Sequence, residues 1–469
     1  MTEQTHVSVV ILAAGQGTRM KSRLPKVLHP IGGKPLLSHV IHTAAELAAK
    51  KIVVVYGHGG DQVKQQLANE TVSWVEQAEQ LGTGHAVDQA RSDIEDDHII
   101  LVLYGDVPLI RAATLSDLVS KANASTLALL TVHLDNPHGY GRIVRDDQGN
   151  IQRIVEQKDA TDTELAIREI NTGILAVQGK RLKDWLSRLE NNNAQGEYYL
   201  TDIIAMAVAD GCQVEAAHPD SEDEVLGVNS RSQLAYLERV YQRQQAEALM
   251  AGGVTVVDPD RFDVRGRVKA GKDVTLDINV VLEGDVTIED DVYIGPNCVI
   301  RDSHIGPGVQ VQAMCVIDNA RVGAGSLLGP YSRLRPGAVL DGDNHIGNFV
   351  EIKNSVIGEG SKVNHLTYIG DTDMGKGVNI GAGTITANYD GANKHRTIIG
   401  DRASTGSNSV LVAPVKLGEG STVGAGSVIT KDAPDNKLTL TRAKQVTIDG
   451  WQRPQKKRAG QKEAGKKKS

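Results

Sequence analysis

From Val7 to about Asn229, short aliphatic and β-branched runs alternate with amphipathic stretches. Val7-Ser8-Val9-Val10-Ile11-Leu12-Ala13, Lys51-Ile52-Val53-Val54-Val55-Tyr56 and Ile99-Ile100-Leu101-Val102-Leu103-Tyr104 read as strands buried on both faces, with helical patterns such as Leu36 to Ala49 between them. Such alternation predicts βαβ units on a mostly parallel sheet. From Ser230 to Met250 the apolar residues Leu234, Leu237, Val240, Tyr241 and Leu249 recur at helical spacing among Arg, Gln and Glu. Asn229 or Ser230 can cap this stretch and Gly252-Gly253 can stop it, which predicts one long connecting helix. Beyond it the period becomes six, with an occasional five. Ile288, Ile294, Ile300, Ile305, Val311 and Ile317 begin a ladder that continues through Val322, Leu328, Leu334, Leu340, Ile346, Ile352, Ile357, Val363 and Ile369. It resumes as Ile399, Thr405, Leu411, Leu417, Val423 and Ile429, and glycine often follows the ladder residue. A short strand, an inward aliphatic side chain and a tight corner, repeated three times per coil, predict a parallel β-helix with triangular coils. Residues Thr386 to Thr397 break the period and predict a loop extruded from it.

These patterns divide the chain into an α/β domain at 1–229, a helix at 230–252, a β-helix at 253–452 and a tail at 453–469. Composition agrees: 49 Gly against 2 Phe and 3 Trp suit a fold packed from aliphatic ladders with many corners. The net charge of −7 is unevenly spread, because the stretch from Gln452 to Ser469 holds eight Lys/Arg and one Glu. This tail cannot bury apolar area and reads as disordered, while the acidic remainder argues against nucleic acid as a main partner. Cys212, Cys298 and Cys315 have neither paired nor metal-ligand spacing and read as reduced packing residues. No basic n-region opens the chain and no run approaches the length of a membrane span. The expectation is a cytoplasmic protein with no membrane insertion.

Directly after the first strand comes Leu12-Ala13-Ala14-Gly15-Gln16-Gly17-Thr18-Arg19-Met20, then Leu24-Pro25-Lys26. Glycines on either side of Gln16 let backbone N–H groups approach a phosphate, and Arg19 and Lys26 supply positive charge. No Gly-Lys-Ser/Thr closes the loop and the third glycine of a dinucleotide fingerprint is missing. Taken alone the Gly-x-Gly reads equally well as a tight turn; the adjacent Arg and Pro-Lys favour the phosphate reading. Asp106 stands at the carboxyl end of a buried strand, where open α/β sheets bind ligands, and its carboxylate suits Mg2+. As an isolated residue it also reads as a turn former before Pro108.

The arrangement resembles the nucleotidyltransferases that activate sugar 1-phosphates. The resemblance continues through Gln77 to Ala86, Tyr104 to Leu109, Gly139 to Arg142, Ile154 to Ala160, Glu169 to Gly173, Glu197 to Asp202 and Gly227-Val228-Asn229. It implies that Leu12, Ala13, Ala14, Gly15, Gln77, Gly82 and Thr83 hold the uracil and ribose side of UTP. It places Gly141, Glu156 and Asn171 on the amino sugar, Asp106 and Asn229 on Mg2+, and Lys26, Tyr104 and Gly105 within the same nucleotide-sugar set. The implied chemistry needs no covalent nucleophile. A sugar phosphate oxygen attacks the α-phosphorus of UTP and pyrophosphate leaves, with Arg19 and Lys26 stabilising the developing charge.

Along the ladder lie Arg333-Leu334-Arg335-Pro336-Gly337, Gly347 to Lys353, His365 to Asp371 and Asn379 to Gly391. His365 stands two residues past the inward Val363, so strand alternation alone leaves its side undecided. This run resembles the acetyltransferase half of the bifunctional N-acetylglucosamine-1-phosphate uridylyltransferase/glucosamine-1-phosphate acetyltransferase family, a resemblance that extends over nearly the whole chain to about Arg442. It implies a Rossmann-like nucleotidyltransferase domain, a left-handed β-helix of hexapeptide repeats, and a homotrimer with shared acetyl sites. His365 is implied as the general base toward the sugar's 2-amino group, with Glu351 orienting it; histidine suits that work because its ordinary pKa lies near neutrality. Arg335 and Lys353 would bind the sugar phosphate, with Tyr368, Asn379, Asn388 and Tyr389 completing the pocket. Ala382, Ser407, Ala425 and Arg442 fall at positions for acetyl-CoA, to which Asn388 and Tyr389 also belong. Three departures stand out: Asn364 where Gly is familiar, Ala387 where Cys is common, and polar Arg402-Ala403-Ser404-Thr405, which puts Thr405 at an inward position and is expected to weaken one coil. The sequence reading is thus an enzyme making UDP-N-acetylglucosamine, for peptidoglycan and lipopolysaccharide synthesis, from glucosamine 1-phosphate, acetyl-CoA and UTP. Two rivals are a uridylyltransferase whose β-helix only trimerises and a nucleotide-sugar sensor. His365, Asn388-Tyr389 and Arg442 speak against the first; Arg19, Lys26, Asp106 and Asn229 speak against the second.

Overall fold

Aliphatic residues on both faces of a strand demand cover from both sides, and the α/β domain supplies it. A computed structural model describes residues 6–15, 17–57, 59–454 and 456; Gln16 and nearly all of the basic tail lie outside them. Strand Val7–Ala13 runs parallel between Lys51–Tyr56 and Ile99–Tyr104. The sheet continues in the order Gln213–Ala217, Thr126–His133, Glu169–Gln178, Ile99–Tyr104, Val7–Ala13, Lys51–Tyr56 and Ser73–Glu76. Only Glu169–Gln178 on that path runs antiparallel to its neighbours. Alternate residues of the central strand face two separate cores, Val9 and Ile11 on one side, Val10 and Leu12 on the other. The parallel register brings the carboxyl ends of Val7–Ala13 and Ile99–Tyr104 together, with Leu12 opposite Tyr104.

The connecting helix spans Arg231–Ala251 and is capped by Ser230, whose hydroxyl accepts the Gln233 N–H. It clasps both modules. Glu238 accepts the Gly32 N–H at 2.9 Å, and buried Gln242 exchanges hydrogen bonds of 2.6 and 2.8 Å with the Val264 backbone of the first coil. A buried polar side chain satisfied by backbone on both ends fixes one docking geometry.

The remaining strands form an 11-stranded and a 17-stranded sheet in which every pairing is parallel. Through most of the coils each strand residue pairs with one 17 or 18 further on, as Val299 with Val316 and Leu276 with Ile294. Three inward residues per coil stack into one continuous core in which Ile300, Val311, Leu334, Ile352, Val363 and Ile369 are fully buried. At the extruded loop the offset jumps to 25, Thr372 pairing with Thr397 and Asn379 with Ser404, and then returns to 18. Cys212, Cys298 and Cys315 are free thiols, all buried. Among the described residues no helix is long and apolar enough to cross a membrane.

Candidate active sites

The loop after the first strand turns at Gly17, whose φ is +61°. A Cβ there would lie 2.7 Å from Cβ of Lys26, so glycine lets the loop backbone pack flat against Lys26. That lysine starts a short 3-10 turn anchored by buried Val27 and Leu28. Its Nζ forms an ion pair with Asp106 Oδ2 and donates to Asn229 Oδ1 at 3.0 Å. The Val228 N–H donates to the Asp106 carbonyl at 2.9 Å and ties the Gly227-Val228-Asn229 segment to the strand end. Oxygens from two remote segments therefore converge on one cationic nitrogen. Hard oxygen donors around a cation position fit Mg2+.

Around this point opens a cavity of about 490 Å3, the size of a small-ligand site. Leu12, Ala13, Ala14, Gly15, Arg19, Lys26, Gln77, Gly82, Thr83, Tyr104, Asp106 and Asn229 all line it. Gly141, Glu156 and Asn171 do not; they gather one strand away, where the Asn171 N–H donates to the Gly141 carbonyl and Thr201 donates to Glu156. Tyr104 lies between the two groups, because Oδ1 of the Asn171 side chain accepts the N–H of Gly173, which packs on the Tyr104 ring. Gly105 is also outside the lining and donates its N–H to Leu12. Burial pushes the Glu156 carboxyl up, against the Thr201 hydrogen bond and helped by Asp159 and Asp202. Burial likewise raises Tyr140, with the Asp106 charge adding to it. Gln80, His138, Tyr140, Glu197 and Gln233 line the cavity unannounced. The Gln77–Ala86, Gly139–Arg142 and Glu197–Asp202 motifs flagged three of those segments, though not these residues as ligands. Gln233 carries no sequence signal at all: it sits on the connecting helix and accepts the Asn229 N–H at 2.9 Å.

On the solenoid, the side of His365 is settled by the corners. Asn348, His365, Ala382, Ser407 and Ala425 each stand two residues past an inward residue, at one corner of five successive coils. Asn348 pairs with His365 in register, and the first four corner carbonyls each accept an N–H from the coil above: Asn348 from Leu366, His365 from Gly383, Ala382 from Asn408 and Ser407 from Gly426. The result is a straight column with His365 exposed near its foot. Arg442 approaches its upper end, where a Cβ on Gly424 would lie 3.8 Å from the guanidinium. Exposed Asn379 stands three residues before Ala382. On the adjoining face Glu351 pairs with Tyr368 and Lys353 with Gly370. The Tyr368 phenol lies across Gly370, where any Cβ would collide with it, and receives Nδ2 of Asn388 at 3.5 Å. Tyr389 is exposed at the base of the extruded loop.

The MobA-like NTP transferase domain matches residues 9–256. The six-repeat bacterial transferase hexapeptide matches 271–302 and 396–431. Similar along nearly their whole length are proteins named bifunctional protein GlmU. That of Methylococcus capsulatus is 60% identical over 453 residues, 96% of this chain and 98% of the relative. Those of Acinetobacter baumannii and Ralstonia pickettii are 58% and 57% identical, each matched over 96% of this chain and 99% of its own length. The chain belongs to the bifunctional GlmU family. It is an enzyme that joins a uridylyltransferase and an acetyltransferase in one polypeptide.

Within this GlmU-family chain, one expected contact is different. Among the described residues Glu351 makes no hydrogen bond to His365: its carboxylate is taken by Arg335 at 2.8 Å and faces Arg333 at 3.7 Å. The imidazole Nδ1 instead meets Oδ1 of Asn348, one coil below, at 3.1 Å. The reason is geometric, since Asn348 shares the corner of His365 whereas Glu351 lies on the adjoining face. Thr405 also departs from expectation. Its buried hydroxyl accepts the Gly381 N–H at 3.0 Å and pairs with the Thr384 hydroxyl at 3.0 Å, so the coil keeps a satisfied polar contact. Asn364, by contrast, carries a buried side-chain oxygen with no partner among the described residues. Lys394, which the sequence reading missed, reaches from the extruded loop to Lys353, and the two like charges hold its pKa below the ordinary lysine value.

Proposed function

We propose that this GlmU-family enzyme acetylates glucosamine 1-phosphate with acetyl-CoA and then transfers UMP from UTP to the product, giving UDP-N-acetylglucosamine and pyrophosphate in the cytoplasm. For the second step, the carrying observation is the convergence of Asp106 and Asn229 on Lys26. Asp106 and Asn229 would hold Mg2+, which when bound would supply charge against the phosphates. Lys26 would then be released to the polyphosphate, with Arg19 beside it. The Gly15–Gly17 loop fixes the triphosphate, while Gln77, Gly82 and Thr83 receive the uridine. The sugar phosphate oxygen forms its bond to the α-phosphorus as the bond to the pyrophosphate oxygen breaks.

For acetyl transfer the corner column carries the reading. His365 takes a proton from the 2-amino group as its nitrogen attacks the thioester carbon. The C–S bond breaks, and coenzyme A leaves as a thiolate that acquires a proton. The thioester arm lies along Ala382, Ser407 and Ala425, and Arg442 meets the charged end of coenzyme A. Arg335, Lys353 and Lys394 receive the sugar phosphate, with Tyr368 and Asn379 beside it. A homotrimer completes this open site. Support comes from a second corner stack of Met314, Tyr331, Phe349 and Leu366, 43–64% exposed and ending next to His365. Exposed apolar side chains in a continuous stack call for cover.

The test is coenzyme A thiol release from acetyl-CoA in the absence of UTP, paired with light scattering. Release that depends on glucosamine 1-phosphate, from a particle three chains in mass, is the expected result. No release from a trimer would leave a uridylyltransferase on a trimerising stem.

A further inference from the structure

Asp371 is a buried carboxylate, 5% exposed, that no step above uses. It stands at a third corner of the solenoid, where Asp302, Asn319, Asn354 and Asp371 all adopt left-handed backbone with φ between 44° and 50°. Its N–H donates to the Lys353 carbonyl and its own carbonyl accepts from Thr397, both at 3.1 Å. It thus fastens the strand of Lys353 to the return of the extruded loop. Its carboxylate accepts Asn354 Nδ2 from the coil below at 2.5 Å and Asn388 Nδ2 from the loop above. Burial opposes charge on Asp371, but these two amides, with Lys353 and Lys394, more than reverse it and hold the carboxyl below its ordinary range.

An asparagine side chain has a donating end and an accepting end, whereas a carboxylate only accepts. The NH2 of Asn388 must therefore face Asp371, with the Tyr368 oxygen as its second neighbour. Oδ1 is left pointing away from both. Among the described residues none donates a hydrogen bond to it, and it is not one of the sealed, unpartnered atoms, so it keeps access to solvent.

We propose that Asp371 is a positioning residue for acetyl transfer: it fixes the Asn388 amide so that Oδ1 accepts an N–H of the sugar's 2-amino group and turns the nitrogen lone pair toward the thioester. The inference rests on the acetyl-site reading given above. Asp371 touches neither substrate and acts only through Asn388.

The variant Asp371→Asn tests this and is expected to fold, since asparagine already occupies the same left-handed corner at Asn319 and Asn354. An amide at 371 pairs with Asn388 in either orientation, so the preference for Oδ1 in the site is lost. The expected result is a kcat for acetyl transfer reduced by on the order of 10- to 100-fold, the cost of a misoriented group. The KM for acetyl-CoA and the rate of uridylyl transfer stay as they were. In an Asn388→Ala background the same change should cost less than about twofold more, because a residue acting through another has nothing left to act on. An Asp371→Asn enzyme keeping at least about half the original kcat, or a full additional loss on top of Asn388→Ala, would overturn the inference. Absence of sugar-dependent thiol release from the unmodified protein is a distinct result: it removes the acetyl-site reading, and this inference with it.

Discussion

The proposed uridylyl site gathers residues from Leu12 to Gln233 around one cavity inside a single chain, whereas the proposed acetyl site is laid out along an open corner of a solenoid. In the α/β domain, strand order and parallel register deliver Asp106, Lys26 and Asn229 to one point even though 203 residues separate the last two. On the β-helix, chemistry is distributed by coil number. Partners sit one coil apart, 17 residues in the case of Asn348 and His365, and the repeat can align a long ligand but cannot wrap it. A sheet with helices on both faces builds a pocket by converging loops; a solenoid builds a track and needs another body to roof it.

The sharpest way to break this comparison is to remove one site and ask whether the other notices. Asp106→Ala should lower uridylyl transfer by roughly 10³-fold and leave thiol release from acetyl-CoA alone; parallel loss of both activities would mean the sites are not independent. His365→Ala should do the reverse, with acetyl transfer falling on the order of 10²- to 10⁴-fold, measured in the same two assays. A smaller effect is expected of Gly17→Ala. Its left-handed backbone disfavours a Cβ by about 1–2 kcal/mol, and the new atom would press on Lys26. Uridylyl kcat/KM should drop by about tenfold while acetyl transfer and the Tm of the β-helix hold.

Acid should distinguish the two regions by sign. The folded pKa of Glu156 is raised by burial, so its contribution to local stability is present below its unfolded pKa and lost as pH rises through the folded value. That of Asp371 is lowered, so its contribution is present above its unfolded pKa and lost as pH falls through the folded value. Hydrogen exchange followed from neutral pH downward should therefore show segment 154–160 tightening while segment 388–397 eventually loosens. The opposite order would sink the assignment. Smallest of all, Asn364→Ala deletes the unpartnered buried oxygen and should raise stability by about 1 kcal/mol, read as a higher Tm.

Much of this architecture is legible in the chain because its periods are strong. The sixfold ladder marked inward residues such as Ile300 and Val363, and the Ser230 cap with its Gly252-Gly253 stop marked the ends of the helix. Asp106 was legible too, since a carboxylate at a buried strand's carboxyl end points to the ligand crevice. What stayed hidden depends on corners. Whether His365 lies on a face or a corner decides between Glu351 and Asn348 as its neighbour, and inward/outward alternation is silent about that. Counting one coil back from His365 would have reached Asn348. Lys394 and Gln233 were invisible for a different reason: one arrives on an aperiodic loop and the other on the exposed start of a helix, where side-chain identity places no constraint on packing.

The jump in pairing offset from 17 or 18 to 25, followed by an immediate return to 18, also bears on how such a protein can change. The excess residues leave and re-enter the solenoid between strands that still meet in register, Thr372 with Thr397, so the coils on either side need no adjustment. The extruded segment behaves as a cassette. Its length and composition can drift, or be exchanged by design, while the ladder beneath it is inherited intact, and new acyl acceptors become reachable through a change confined to a single bend.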